Sequence, residues 1–185
     1  MRLSVGKKVS YPCQGPCLVG PIVKRVVDGK PTKFYHLVLL ERGGGDLFVP
    51  LDRAHSRGIR KLLKKSEIPE LLNRLDRAAA STPRWNERTQ QNLILFASGS
   101  AFDLAEIVGS MSGFGENGKL QPSDRRTLER AKKFLICEIS EVTGETRSAV
   151  TERMDKVIER RNRNKSTTVK QAGHWPSIVD YDQLP

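Results

Sequence analysis

The sequence predicts an α+β protein, with a small, strongly bent β module first and an all-α helical bundle after it. Residues 1–53 carry short β-branched and aromatic runs separated by turn residues, the pattern of closely spaced strands. From Ser66 onward the apolar spacing changes to a 3.6-residue period, and residues 66–159 read as helices. Between the two lies a basic connector, residues 54–65, rich in Arg and Lys. The period change is the main signal, because a two-residue and a 3.6-residue repeat cannot be satisfied by one kind of element.

The expected strands are Val9–Pro12, Cys17–Val23, Phe34–Leu40 and Leu47–Pro50. Gly15-Pro16 marks a turn. Asp28-Gly29 is the strongest hairpin signal, since both central positions of a type I′ turn need positive φ. Gly43-Gly44-Gly45 marks a looser hairpin. Tight turns between strands in so short a stretch imply a small, bent sheet or partial barrel.

In the helical half, Ser66 is expected to cap a helix that tolerates Pro69 near its start and buries Ile68, Leu71, Leu72 and Leu75. Thr82 is expected to cap the next, with Pro83 at its first position, Leu93, Leu95 and Phe96 on its later turns, and Ser98-Gly99-Ser100 ending it. A short helix follows with Phe102, Leu104, Ala105, Val108 and Met111 inward, then a loop from Gly113 to Gly118. Ser123 is expected to cap a long helix whose stripe is Leu128, Ala131, Leu135 and Ile139, ended by Thr143-Gly144. Val150, Met154, Val157 and Ile158 support a last helix. Residues 160–185 begin with Arg, Asn, Lys, Ser and Thr and little apolar content, so a basic, disordered tail is expected.

Composition narrows the function. There are 32 Lys and Arg against 21 Asp and Glu in 185 residues, a net charge of +11, which favours a polyanionic partner. Three cysteines, Cys13, Cys17 and Cys137, form no paired framework, which suits a reducing compartment. Cys13 and Cys17 are either cross-strand neighbours or half a metal site. No second pair follows and His36, His55 and His174 lack ligand spacing, so no metal is expected. No signal peptide and no apolar run long enough for a membrane span is seen, and a cytoplasmic protein is expected.

Gly113-Phe-Gly-Glu-Asn-Gly118-Lys119 matches two phosphate-binding glycine patterns. A helix precedes it where a strand is required, Leu120 stands where a Ser or Thr would hold Mg²⁺, and Pro122 follows, so a helix–helix loop is expected. No nucleophile motif or catalytic cluster appears; the chain is read as a non-enzyme without a cofactor.

Trp85 stands out. It lies at the mouth of a helix, between Arg84 and Arg88, ahead of that helix's apolar stripe. A core indole is the plain alternative, since Trp is usually well buried. A helix N-terminus offers free N–H groups and a positive end to phosphates. An apolar wedge in the minor groove unstacks a base step and recovers the cost through backbone contacts. On the long helix Arg125, Arg126, Arg130, Lys132 and Lys133 lie together, and spacing puts Arg126, Arg130 and Lys133 on one face, for contact with DNA or merely with solvent.

At these residues the chain resembles the bacterial CarD/CdnL family of RNA polymerase-binding regulators. The likeness covers about residues 3–157. It rests on Val5-Gly6-Lys7-Lys8-Val9-Ser10-Tyr11-Pro12 with Gly15, Phe34-Tyr35-His36-Leu37 and Phe48-Val49-Pro50. It continues through His55-Ser56-Arg57-Gly58-Ile59-Arg60, Arg84-Trp85-Asn86-Glu87-Arg88, Leu104–Val108 and Ala131–Leu135. The resemblance implies a Tudor-like (SH3-like) module that binds the polymerase β subunit, shared with the transcription-repair coupling factor, through Arg25, Val27, Phe48 and Pro50. It implies a helical module on promoter DNA in which the Trp matching Trp85 enters the minor groove at the upstream edge of the bubble and stabilises the open complex, in a monomeric protein. Some members carry Arg where this chain has Phe48, and Lys where it has Gln90. The alternative is an RNA-binding or chaperone module independent of polymerase, with Tyr11, Phe34 and Tyr35 as the stacking candidates.

Overall fold

The computed structural model describes residues 3–41, 43–54, 56–78, 84–115 and 120–172, with side chains outside 113–115 and 164–172. The first module is one antiparallel sheet in the order β4-β3-β2-β1-β5. Its strands are β1 (Lys8–Tyr11), β2 (Gly15–Val27), β3 (Lys30–Leu39), β4 (Asp46–Pro50) and β5 (Arg60–Lys61). Asp28 and Gly29 have φ of 50° and 75°, as the hairpin signal requires, and Val27 faces Lys30 across the turn. The register shifts between Val19 and Ile22, a bulge at Gly20-Pro21 that bends the long β2–β3 ribbon.

Two boundaries differ from the sequence expectation. β2 runs on through Arg25 to Val27, so Arg25 lies within the strand and not after it. Arg60 and Lys61, placed in the connector above, pair with Ser10 and Val9 as β5. A two-residue strand carries no visible period, which is why it was missed. Nor are Cys13 and Cys17 cross-strand neighbours: Cys13 sits in the β1–β2 turn at φ 61°, and Cys17 faces Val9.

The helical module comprises α1 (Ile68–Arg77), α2 (Trp85–Ser98), α3 (Ala101–Gly115), α4 (Pro122–Thr143) and α5 (Arg147–Ala172) among the described residues. Ser66 does not cap α1; it lies in a 3₁₀ turn, Lys65–Glu67, closed by the Lys64 N–H donating to Glu67 Oε2 at 2.6 Å. Thr82 and Pro83 lie outside the described residues, and α2 begins at Trp85 because Arg84 is extended (φ −71°, ψ 114°). The glycine run is helical through Gly115, so the expected loop cannot start at Gly113; residues 116–119 lie outside the described residues. α4 starts at Pro122, which serves as its first residue instead of interrupting the chain, and Gln121 is the cap in place of Ser123. Gly99 and Gly144, both left-handed, end α2 and α4 where expected.

The tail is the largest difference. α5 continues to Ala172, well past Arg160. Composition suggested disorder, but Arg160 pairs with Asp76 at 3.0 Å and Arg161 is buried, so the helix has anchors that a hydropathy count does not see. Residues 173–185 lie outside the described residues.

Each module has its own core. Val9, Val19, Tyr35, Leu37 and Val49 centre the first, and Leu71, Ile107, Met111, Leu135 and Met154 the second. The modules meet along α4. Gly15 (φ 85°) lies so close to the Phe134 ring that a β-carbon would stand 2.6 Å from it, so only glycine fits both the turn and the contact. Arg60 donates twice to Glu138, at 2.7 and 2.9 Å, and through Nε to the Gly99 carbonyl at 2.7 Å. The Leu63 N–H adds a further bond to Glu138, whose side chain is 1% exposed. One bidentate arginine thus ties β5 to α4 and to the α2–α3 corner.

Candidate functional site

Two surfaces gather the residues singled out by sequence. The first is the outer face of the sheet. Strand register pairs Arg25 with Thr32, Val23 with Phe34, Phe34 with Pro50 and His36 with Phe48. Opposed residues share a face and the side-chain period is two, so Arg25, Val27, Phe48 and Pro50 all point away from the core. Tyr35, Leu37 and Val49, one residue out of phase, fill that core. The Arg25 guanidinium carbon sits 3.5 Å from the Phe48 ring centroid. The His36 ring stacks on Phe48 at 5.1 Å and 12°, and His36 Nε2 is 2.9 Å from Asp46 Oδ1. Phe48 therefore touches both a cation and an imidazole, which restrains the long Arg25 side chain at the surface.

The second surface is the start of α2. Trp85 is 49% exposed, so the core alternative does not hold. As the first residue of its helix it projects past the turns that pack inward. Arg84 is open to solvent and donates to Glu87 at 3.1 Å. Arg88 requires a correction. It was expected beside the indole for phosphate contact, but it is 3% exposed and its guanidinium is turned onto Asp124. Nε and Nη2 each stand 2.8 Å from Asp124 Oδ2, and Thr89 Oγ1 donates to Oδ1 at 3.1 Å. The reason is the inward stripe of α2, which is Arg88, Asn92 and Phe96 at four-residue spacing. Two of its three members are polar, whereas Leu93, expected among the apolar positions, is 59% exposed.

Asp124 lies in the first turn of α4, so this pair brings the N-terminal turns of α2 and α4 together. Asp124 and Arg88 neutralise each other inside, and Asp124 also sits favourably at a helix N-terminus. Arg84, next to Trp85 in the chain, is exposed, as are Arg125 and Arg126, the two residues that follow Asp124. The expected face of Arg126, Arg130 and Lys133 is therefore divided. Arg130 is pinned to the β module, donating to the Cys13 carbonyl at 2.6 Å with its guanidinium 5.0 Å from the Phe96 ring. Lys133 lies 3.6 Å from Glu41. Farther along the same stripe Glu141 pairs with Lys8. Most of that face is module interface, and Arg126 at its start is exposed.

Sequence reasoning missed Asp124, Arg60, Glu138 and His36. For Asp124 the signal available is a carboxylate in the first turn of its helix, read as part of a solvated polar face, while its partner Arg88 is read as a phosphate contact. Among the described residues no group of three or more His, Cys, Asp or Glu side chains could hold a metal. No helix there is long and apolar enough to cross a membrane. Burial pushes the Cys17 thiol up to about 12 and the Cys137 thiol up to about 11, the latter partly offset by Arg147. Both are poor nucleophiles at neutral pH. Of the stacking candidates for RNA, Tyr35 is 4% exposed and accepts a bond from the Leu3 N–H, so it presents no ring to a base.

Comparison with known proteins matches each module. Residues 3–63 match the CarD-like/TRCF RID domain, and residues 67–155 match the CarD C-terminal domain. Among solved structures, the chain is similar to the solution NMR structure of the 72-residue N-terminal domain of Myxococcus xanthus CarD, at 35% identity. That match covers 32% of this chain and 79% of the other, with a TM-score of 0.27. With both modules matched in order, the chain belongs to the CarD-like family, a generally non-enzymatic group, and is a transcription-related regulator that interacts with RNA polymerase.

Proposed function

We propose that the protein binds the polymerase β subunit through the outer sheet face and stabilises the promoter open complex by wedging Trp85 into the minor groove at the upstream edge of the bubble. The observation that carries this is the half-exposed indole at the first position of α2, with Arg84 exposed before it and Arg125 and Arg126 exposed next to Asp124, the partner of Arg88. An aromatic wedge needs an open ring, backing that resists being pushed in, and cations for the flanking phosphates. The buried Arg88–Asp124 pair, one turn farther along α2, fixes the helix start that carries it. Arg25, Val27, Phe48 and Pro50 serve as the polymerase contact, and the Arg60–Glu138 tie carries that anchor to the helical module as one body.

Two weak contacts on one body act at high effective concentration, so affinity for free duplex is low and salt-sensitive while affinity for the polymerase–promoter assembly is high. The test is decay of preformed open complexes after a competitor challenge. Wild-type protein lengthens their lifetime. Trp85→Ala loses that effect by about tenfold, worth roughly 1.4 kcal/mol, while still recovering the β subunit in a pull-down. An unchanged lifetime with Trp85→Ala removes the wedge.

A further inference from the structure

The outer sheet face holds a polar ring that is not among the proposed polymerase contacts. His36 of β3 lies opposite Phe48 of β4, and Val38 lies opposite Asp46. Phe48 and Asp46, two residues apart, therefore flank the imidazole on one face of the sheet. The ring stacks on Phe48 at 5.1 Å and 12°, and its Nε2 lies 2.9 Å from Asp46 Oδ1. Gly20, in the β2 bulge, walls a further side: a β-carbon there would stand 2.8 Å from His36 Nδ1. The irregularity in β2 thus leaves the space that the imidazole fills. Held by a stack, a polar contact and a backbone wall, the His36 side chain is 22% exposed.

Phe48 and Arg25 depend more on their neighbours. Strand pairing fixes the Phe48 backbone but not its side-chain torsions, which on a half-buried face have more than one staggered well. Arg25 is exposed on a long, flexible stem, yet its guanidinium carbon lies 3.5 Å from the Phe48 ring centroid. A cation seated on a ring face goes where that face points. Order on this surface runs from the held imidazole, through the Phe48 ring, to the exposed guanidinium.

We infer that His36 is a positioning residue for the polymerase contact: it sets the Phe48 ring in the orientation that receives the Arg25 guanidinium, so that the cation is in place before the partner arrives. This rests on the reading that the outer sheet face meets the β subunit. A side chain placed before docking has less freedom left to lose when the partner binds. His36 does this without touching the partner itself, and Asp46 and Gly20 act one step further back by holding the imidazole.

The experiment uses the full chain. Affinity for the purified β subunit, the NMR shifts of the Arg25 δ-methylene and Nε protons, and urea unfolding are measured for wild type, His36→Ala, His36→Phe, Phe48→Leu and Arg25→Glu. Protons over a ring face are shifted upfield, and Phe48→Leu gives the values without the ring. His36→Ala is expected to move the Arg25 shifts toward those values and to weaken β-subunit binding several-fold, with the unfolding midpoint close to wild type. His36→Phe, which keeps a flat stacking partner, is expected to regain part of both. Wild-type shifts in His36→Ala overturn the inference, because the ring is then held without the imidazole. Wild-type affinity overturns it too, because placement then does not matter to docking. A His36→Phe protein no better than His36→Ala likewise overturns it. If His36→Ala does not fold, Asp46→Ala decides in the same way, since Asp46 is 58% exposed and its loss frees the imidazole edge. Smaller changes in the same direction are then expected, and wild-type values overturn the inference. If Arg25→Glu binds the β subunit normally, the sheet-face reading falls, whereas the proton shifts still decide whether His36 places the Arg25 cation.

Discussion

The outer sheet face and the start of α2 are built on opposite principles. On the sheet, Arg25, Phe48 and His36 are stacked at the surface, and the strength of the site lies in side chains arranged on a rigid pleat. At α2 one aromatic ring stands half exposed, and the ordering groups, Arg88 and Asp124, are buried one turn away. The first site resists change at its surface; the second resists change from below. A surface substitution on the sheet should cost binding and little stability, while at α2 the larger stability effects should come from residues that touch no partner.

The largest expected effect follows from that contrast. Asp124→Ala removes the carboxylate that faces the buried Arg88 guanidinium, and a loss of about 3–5 kcal/mol in urea unfolding is expected. Arg84→Ala, which breaks an exposed pair with Glu87, should change stability by less than about 1 kcal/mol. Equal costs at the two positions would mean that the buried pair is not what supports the indole. Next in size, Arg25→Glu should weaken β-subunit recovery by about thirtyfold, roughly 2 kcal/mol, at unchanged stability. Normal recovery would move the polymerase contact off this face.

How much of this was legible depended on the kind of element. In the sheet, alternation alone separates Tyr35, Leu37 and Val49 from Phe34, His36 and Phe48. The Asp28-Gly29 turn fixes which residues oppose one another. The outer face could thus be read by anyone trusting a period of two. β5 could not, since two residues make no pattern and its partner β1 lies some fifty positions earlier. In the helices the same reasoning gave the stripes of α1, α3 and the C-terminal part of α4, where inward positions are apolar. It failed on α2, whose inward stripe includes Arg88 and Asn92, and on α5, where Arg161 is inward. A charge on a buried spacing is intelligible only once its partner is known, and Asp124 and Ala78 are far away in sequence. The division of Arg126, Arg130 and Lys133 was hidden for a related reason: helical spacing says that they share a face, and only the docked β module says what covers it.

A further expected effect concerns the module interface. Cys17 and Cys137 are buried, and folding raises their thiols from 9.0 to about 12 and about 11. The folded state therefore holds these protons more tightly than the unfolded chain. The associated stability is fully present below about pH 9 and is lost as pH rises through the folded values. Urea midpoints should fall from pH ~8 to pH ~10, and less steeply once both thiols are replaced by Ala. Parallel falls with and without the thiols would contradict the burial assigned to them.

The most direct measurement places a fluorescent base analogue, 2-aminopurine, at the upstream edge of the bubble in a polymerase–promoter complex. Wild-type protein should change its emission by unstacking that step, and Trp85→Ala, bound through the same sheet face, should leave the emission as it is without the protein. The same emission change with and without the indole would contradict the wedge.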